Sequence, residues 1–259
     1  MIRPVRAAAG WIRIVAILSL LAGCGSHPAP HAIPDEAAVC VPSDTILLAG
    51  LQLERIRETA LYPALPATWR AVLEPLRGAT GLLVAYNGSD LLVIAQGRFQ
   101  SAPAGAVLLV PTLALAGSPA AIRAATQQRG TGRTGAPALV ARAESAAGKP
   151  IWLAAQGHRS VPLTGNLANV NRLLQLVDYA TLTADIDSRV DVHATGLCRT
   201  AEDGRQLEES LRALVSLAAA GTRDADLAGV LQSAQVTRDG ASVQMAISAS
   251  AAALEKLLR

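Results

Sequence analysis

The chain has 259 residues, of which 51% are hydrophobic and only 3% aromatic, with 23 Lys and Arg set against 20 Asp and Glu. Three of the basic residues, Arg3, Arg6 and Arg13, stand in an acid-free N-terminal segment, so the rest of the chain carries as many basic as acidic groups. That balance, with no basic stripe and few aromatics for bases to stack on, excludes a nucleic-acid surface and leaves a core built from Ala, Leu, Val and Ile.

The N-terminal arginines are followed by Ile14 to Leu21, apolar except for Ser19. A positive stretch ahead of a short apolar one is the layout of an export signal. The apolar run falls short of the roughly 20 residues that cross about 30 Å of hydrocarbon, so residues 1–23 read as a cleaved signal and not as a membrane helix.

The segment closes on Leu21-Ala22-Gly23-Cys24. This resembles the bacterial lipoprotein signal, Leu-small-Gly-Cys, over residues 1–24. The resemblance implies a diacylglyceryl group on the Cys24 sulfur, cleavage before Cys24 and acylation of the new amino terminus. Each buried CH₂ contributes about 0.8 kcal/mol, and stable attachment takes two signals, which this lipid set supplies. Gly25, where enterobacterial lipoproteins kept at the inner membrane have Asp, favours the periplasmic face of the outer membrane. The membrane is thus one implied partner, reached through the lipid on Cys24.

Residues 24–43 form a tether rich in Gly, Ser and Pro. His27 and His31 are four apart, a spacing that suits a metal pair on a helix, but Pro28 and Pro30 forbid the helix. No metal site is read there.

The first half of the body spans residues 44–128. Asp44 to Leu53 reads as a strand leading into a helix over 54–61. Trp69, Val72, Leu73 and Leu76 recur at helical spacing and predict an amphipathic helix over Thr68–Arg77. The apolar runs 81–86 and 91–95 are strands joined by Asn87-Gly88-Ser89-Asp90, a hairpin turn because Asn and Gly accept positive φ cheaply. Both are apolar on both faces, which places them inside a covered sheet. Residues 106–110 and 113–116 are shorter strands. Ser118 then caps a helix with Pro119 at its first position, running to about residue 128.

Residues 129–149 form a linker and short helix. Gly130 to Gly135 spells G-x-G-x-x-G, but it follows a helix and precedes Pro137, whereas a dinucleotide fingerprint follows a strand and opens a helix. The second half spans 150–259, with strands over 150–155, 180–186 and 189–198 and a helix over about 165–178. Thr200 and Asp203 open a long helix whose apolar stripe is Leu207, Leu211, Leu214 and Ala218. Strands 234–237 and 242–248 pair across Asp239-Gly240, and a last helix follows Ser250.

Residues 84–97 align without gaps on 183–196, matching Ala85/Ala184, Ser89/Ser188, Val93/Val192, Ala95/Ala194 and Gly97/Gly196. The predicted fold class is α+β, two related halves of strand-helix-strand-strand type, each an antiparallel sheet with helices packed on one face, in one fused sheet or two. The body resembles uncharacterised envelope lipoproteins with duplicated α+β halves; Leu113 to Arg123 is similar to a strand-into-helix turn in such families. The likeness carries no site residues.

Once Cys24 is assigned to lipid, Cys40 and Cys198 remain, either bonded to each other in an oxidising compartment or two buried free thiols. No motif for a cofactor, a nucleophile elbow, a zinc site or a redox pair is present, and no catalytic residue is assigned. His193 shares a strand face with Asp191 and Thr195, which reads either as part of a hydrolytic triad or as the wet face of a half-buried strand. Gly157-His158-Arg159-Ser160 with Asn166, Asn169 and Asn171 forms a second polar grouping. Three functions follow: a lipid-anchored interaction or structural module that docks an envelope protein, without catalysis; a lipid-anchored hydrolase using His193 or His158; or a binding protein for a small apolar ligand.

Overall fold

The computed structural model describes residues 33–59, 62–64, 76–103, 105–159, 168–187, 189–250 and 253. The signal, Cys24, His27, His31, most of the predicted helix over 68–77, Asn166 and all but Ala253 of the C-terminal helix lie outside the described residues.

The strands are β1 (Leu47–Leu51), β2 (Ala79–Tyr86), β3 (Leu91–Gly97), β4 (Ala106–Val110), β5 (Leu113–Gly117), β6 (Ile151–Gln156), β7 (Tyr179–Ile186), β8 (Arg189–Leu197), β9 (Gln235–Asp239) and β10 (Ser242–Ser250). They form one sheet in the order β4-β5-β3-β2-β1-β6-β7-β8-β10-β9, with every described pairing antiparallel. The helices are α1 (Asp35–Ala38), α2 (Leu53–Glu58), α3 (Pro119–Gly130), α4 (Pro137–Glu144), α5 (Ala168–Leu174), α6 (Ala201–Gly221) and α7 (Ala225–Gln232), with a 3₁₀ turn at Tyr62–Ala64. The α+β class is thus as expected, and the sheet is single and fused.

Local chemistry sets the element ends. The Asn87 side chain accepts from the Ser89 and Asp90 N–H groups, and Gly88 takes φ 103°, so β2 turns directly into β3. The Ser118 hydroxyl accepts from the Ala121 N–H at 3.1 Å and caps α3 ahead of Pro119. Thr200 caps α6 in the same way through the Asp203 N–H. Two helices escaped the sequence reading. α7 is capped by Asp224, which accepts from the Asp226 and Leu227 N–H groups. α1 is only four residues long, too short for a period to show.

The helices cover opposite faces of the sheet at its two ends. Leu48, Leu83, Ala85, Ile94, Trp152 and Ala154 form one buried core with α1, α3 and α4 through Ala37, Ala121, Ala125, Leu139 and Ala143. Ala155, Cys198, Val243 and Leu207 form another, with Leu47, Leu153, Ala180 and Leu211 packed against it. Leu47 and Leu48 are consecutive, as are Ala154 and Ala155, and consecutive strand residues point to opposite faces. The first core therefore lies on one face and the second on the other. β1 and β6 serve both.

The predicted linker is a packed turn. The Gly135 N–H donates to the Val41 carbonyl at 2.9 Å, and a side chain at Gly135 would meet the Ser43 nitrogen at 2.4 Å. Gln128 holds this turn through Thr131 and the Arg133 carbonyl. α3 accordingly runs on to Gly130, two residues past its expected end.

The disulfide alternative for Cys40 and Cys198 does not hold, because both are free and buried, one in each core. Their chain neighbourhoods face opposite sides of the sheet, which keeps the sulfurs apart. Burial pushes both thiols above the ordinary range, which disfavours the reactive thiolate and, with the sulfurs inside the cores, shields both from reagents. Iodoacetamide is expected to leave both unmodified in the native chain and to alkylate both in urea without reductant. Peptide mapping decides this, and modification in urea only after reduction contradicts it.

At one end of the sheet β9 is an edge strand. Arg212 donates to the Val236 carbonyl at 3.0 Å and pairs with Glu208 at 2.8 Å, and Arg238 reaches the other Glu208 oxygen at 2.9 Å. Glu208, only 17% exposed, so clamps α6 to β9.

Candidate functional site

The change of covered face creates a step. α4 packs on β1 and β6 over Trp152 and Ala154. On the same side of the sheet, β7 and β8 carry polar groups. Register places Thr183 beside Trp152 and His193, and Thr181 beside Ala154 and Thr195. Partners in register project to one face. Period-2 alternation thus accounts for both sides of β7: Ala180, Leu182 and Ala184 face the second core's side, and Tyr179, Thr181 and Thr183 face the step.

The result is a groove of about 360 Å³. Its floor is Thr181, Thr183, His193 and Thr195, and its wall is Arg142, Ser145 and Ala146 at the end of α4. The Arg142 guanidinium sits over the Tyr179 ring, 5.4 Å from its centroid. Cation–π contact of this kind is worth about 0.5–1 kcal/mol at exposed sites and fixes the direction of a long side chain. Among the described residues, no acid lines the groove.

The nearby carboxylates are engaged elsewhere. Asp191 accepts from the Ser248 hydroxyl and from Arg189 Nε at 2.9 Å, and these hold its carboxyl below the usual range. Asp185 accepts from Lys149 at 2.6 Å, with the same effect. The triad reading of His193 needs Asp191 as orienting partner, yet the described bonds of Asp191 go to Ser248 and Arg189. No hydrogen bond joins the His193 ring to a described residue. His193 is exposed on the groove floor, the wet strand face that was the other reading.

The second polar grouping is elsewhere. His158, at φ 53°, has its Nε2 3.2 Å from Asp178 Oδ1, which Arg199 also reaches at 3.1 Å. The Gly157 N–H donates to the Asp178 carbonyl, and the His158 N–H to the Leu174 carbonyl. This locks the β6 end against the segment that enters β7. Asn169 falls within α5, its side chain outside the described residues; Asn171 lies two residues further along that helix. His158 and His193 do not share a site. Arg142, Tyr179 and the threonines were missed by sequence reasoning. The available signal was the polar alternation Thr181, Thr183 opposite Leu182 and Ala184; nothing local tied Arg142 to it.

A larger groove of about 670 Å³ lies between α6, α7 and β9, lined by Val215, Ala219 and Leu231 together with Arg212, Ser216 and Gln235. Leu217, further along α6, is 72% exposed. Among the described residues no group of His, Cys, Asp or Glu could hold a metal ion, and no helix is long and apolar enough to cross a membrane.

No protein-family model matches the chain. No curated protein matches it either. Among solved structures, crystal form III of TP0453 gives a TM-score of 0.52 at 8% identity, over 85% of this chain and 96% of that one. Crystal forms I and IV of the same protein give 0.44 and 0.47 at 9% and 7% identity. At such identity, the form III superposition establishes likeness of fold alone: this chain is similar to TP0453 in its architecture.

Proposed function

We propose that the protein is a lipid-anchored envelope lipoprotein whose α+β body acts as a non-catalytic interaction module, tethered to the periplasmic face of the outer membrane. The observation that carries this reading is the basic and apolar leader ending in Leu21-Ala22-Gly23-Cys24. The open groove between α6, α7 and β9, with Val215, Ala219 and Leu231 in its lining, supports a protein partner, since a partly apolar cleft can seat a partner's side chains. The hydrolase alternative has less support, because Asp191 is engaged away from His193 and His158 meets only Asp178 among described side chains. The apolar-ligand alternative fits poorly with the two larger grooves, both lined by a mixture of polar and apolar groups.

The body is also proposed to be a duplication. Outward from the centre, the strand order is β1-β2-β3-β5-β4 on one side and β6-β7-β8-β10-β9 on the other. The aligned stretches 84–97 and 183–196 fall on β2–β3 and β7–β8, which hold equivalent places in these two series.

Mass spectrometry of the native product tests the anchor. The expected N-terminal peptide begins at Cys24 and carries acyl mass, and Cys24→Ala carries none. A native N-terminus upstream of Cys24, or a Cys24 without acyl chains, overturns the proposal.

A further inference from the structure

We infer that the groove between α4 and the open faces of β7 and β8 binds a small oxyanion, a carboxylate or a phosphate, with Arg142 as its charged ligand and the groove hydroxyls and His193 as hydrogen-bonding neighbours. The inference is independent of the lipid anchor and goes beyond the tethering role.

The first argument is place. The helical layer ends over β6, and the Thr-bearing sides of β7 and β8 continue past it, so the groove is a consequence of the fold and not of one rotamer. Its volume of about 360 Å³ falls within the roughly 300–1,000 Å³ typical of small-molecule clefts.

The second argument is charge. Among the described residues lining the groove, Arg142 is the one permanently charged side chain. A guanidinium presents five N–H donors in a planar fork that matches carboxylate and phosphate oxygens. Here the fork lies over Tyr179, and no described carboxylate pairs with it. Lys149 with Asp185 and Arg189 with Asp191 are matched pairs at the periphery, so they leave the sign of the groove positive.

The third argument is what surrounds the cation. A helix C-terminus ordinarily opposes anions through its free carbonyls. At the end of α4 two of these are occupied: the Arg142 carbonyl accepts from the Ser145 hydroxyl at 2.7 Å, and the Ala143 carbonyl accepts from the Ala146 and Ala147 N–H groups at 2.9 Å. On the floor, Thr181, Thr183 and Thr195 bring hydroxyl donors to the same side as the imidazole. Such a set suits an anion that also carries polar substituents, since donors around one cation can each take an oxygen lone pair.

The test uses the full chain purified in neutral detergent. The His193 ring resonances are followed by NMR during titration with inorganic phosphate in one arm and acetate in the other. A saturable shift is expected in at least one arm, and the arm that saturates tells a phosphorylated ligand from a carboxylated one. Arg142→Gln, at an exposed position, is expected to weaken binding roughly tenfold or more, the scale of losing a charge-assisted hydrogen bond. His193→Gln, read by calorimetry, gives a smaller loss. Arg199→Gln, outside the groove, leaves binding unchanged. No saturable shift in either arm, or binding that Arg142→Gln leaves within about twofold, overturns the inference. Neither result touches the acyl mass on Cys24.

Discussion

Trp152→Ala is expected to lower the stability of the body by about 3–5 kcal/mol, the range for emptying a buried aromatic site. That is a large part of the roughly 5–15 kcal/mol that holds a typical domain folded. Trp152 is 4% exposed, and it stands on β6 opposite Gly50 of β1. The indole lies across Gly50: a β-carbon there would sit 2.1 Å from its Cε2 and 2.3 Å from its Cζ2 and Nε1. The glycine is thus required by close approach of the ring. In a chain with so few aromatics, this one ring fills the junction where β1 meets β6. Urea unfolding followed by circular dichroism measures the loss as a lower midpoint. Gly50→Ala is expected to be costly in the native background and mild in Trp152→Ala, because removing the indole makes room for the methyl. A double-mutant cycle with no coupling between the two positions would show that the ring moves aside at no cost.

Gly157→Ala is expected to cost about 3 kcal/mol, at the upper end of ordinary overpacking. The added carbon would fall 1.5 Å from the Val177 carbonyl oxygen and 2.5 Å from its carbon. These are backbone atoms, and the segment is tied on both sides of the contact: Gly157 donates to the Asp178 carbonyl and His158 to the Leu174 carbonyl. Relief therefore requires the β6 end to part from the entry to β7, which also breaks the His158–Asp178 contact. The expected signs are a lower urea midpoint and loss of amide protection at Gly157 and His158. Unchanged protection at those amides would mean that the strand end moves without separating.

Much of the local structure could be read from the chain, and the reason is chemical. Asn87-Gly88, Ser118-Pro119, Thr200 with Asp203, and Asp239-Gly240 each fix a turn or a cap through bonds between residues two or three apart. What escaped is what depends on distant partners. β1 pairs with β6, joining Leu47 to Ala155, and no local period reports such a register. Alternation told which residues of 180–186 share a face, but not that α6 would cover one side while the other remained open beside α4. The candidate groove follows from that arrangement, so His193 was visible as a polar strand residue and Arg142 was not visible at all. Asp224 offered a cap signal for α7, and its short apolar run, Leu227, Val230 and Leu231, follows at helical spacing.

The Arg212–Glu208–Arg238 clamp bears on how copies behave in a crowd. A bare ladder edge is a template for another chain, and molecules confined to a surface meet far more often than molecules in bulk. Here the outward carbonyl of Val236 is already spoken for by a guanidinium that a carboxylate holds in place. Copies held on one membrane by the proposed anchor would meet, at that rim, an acceptor already taken and a guanidinium beside it, which makes strand-to-strand zipping there less favourable.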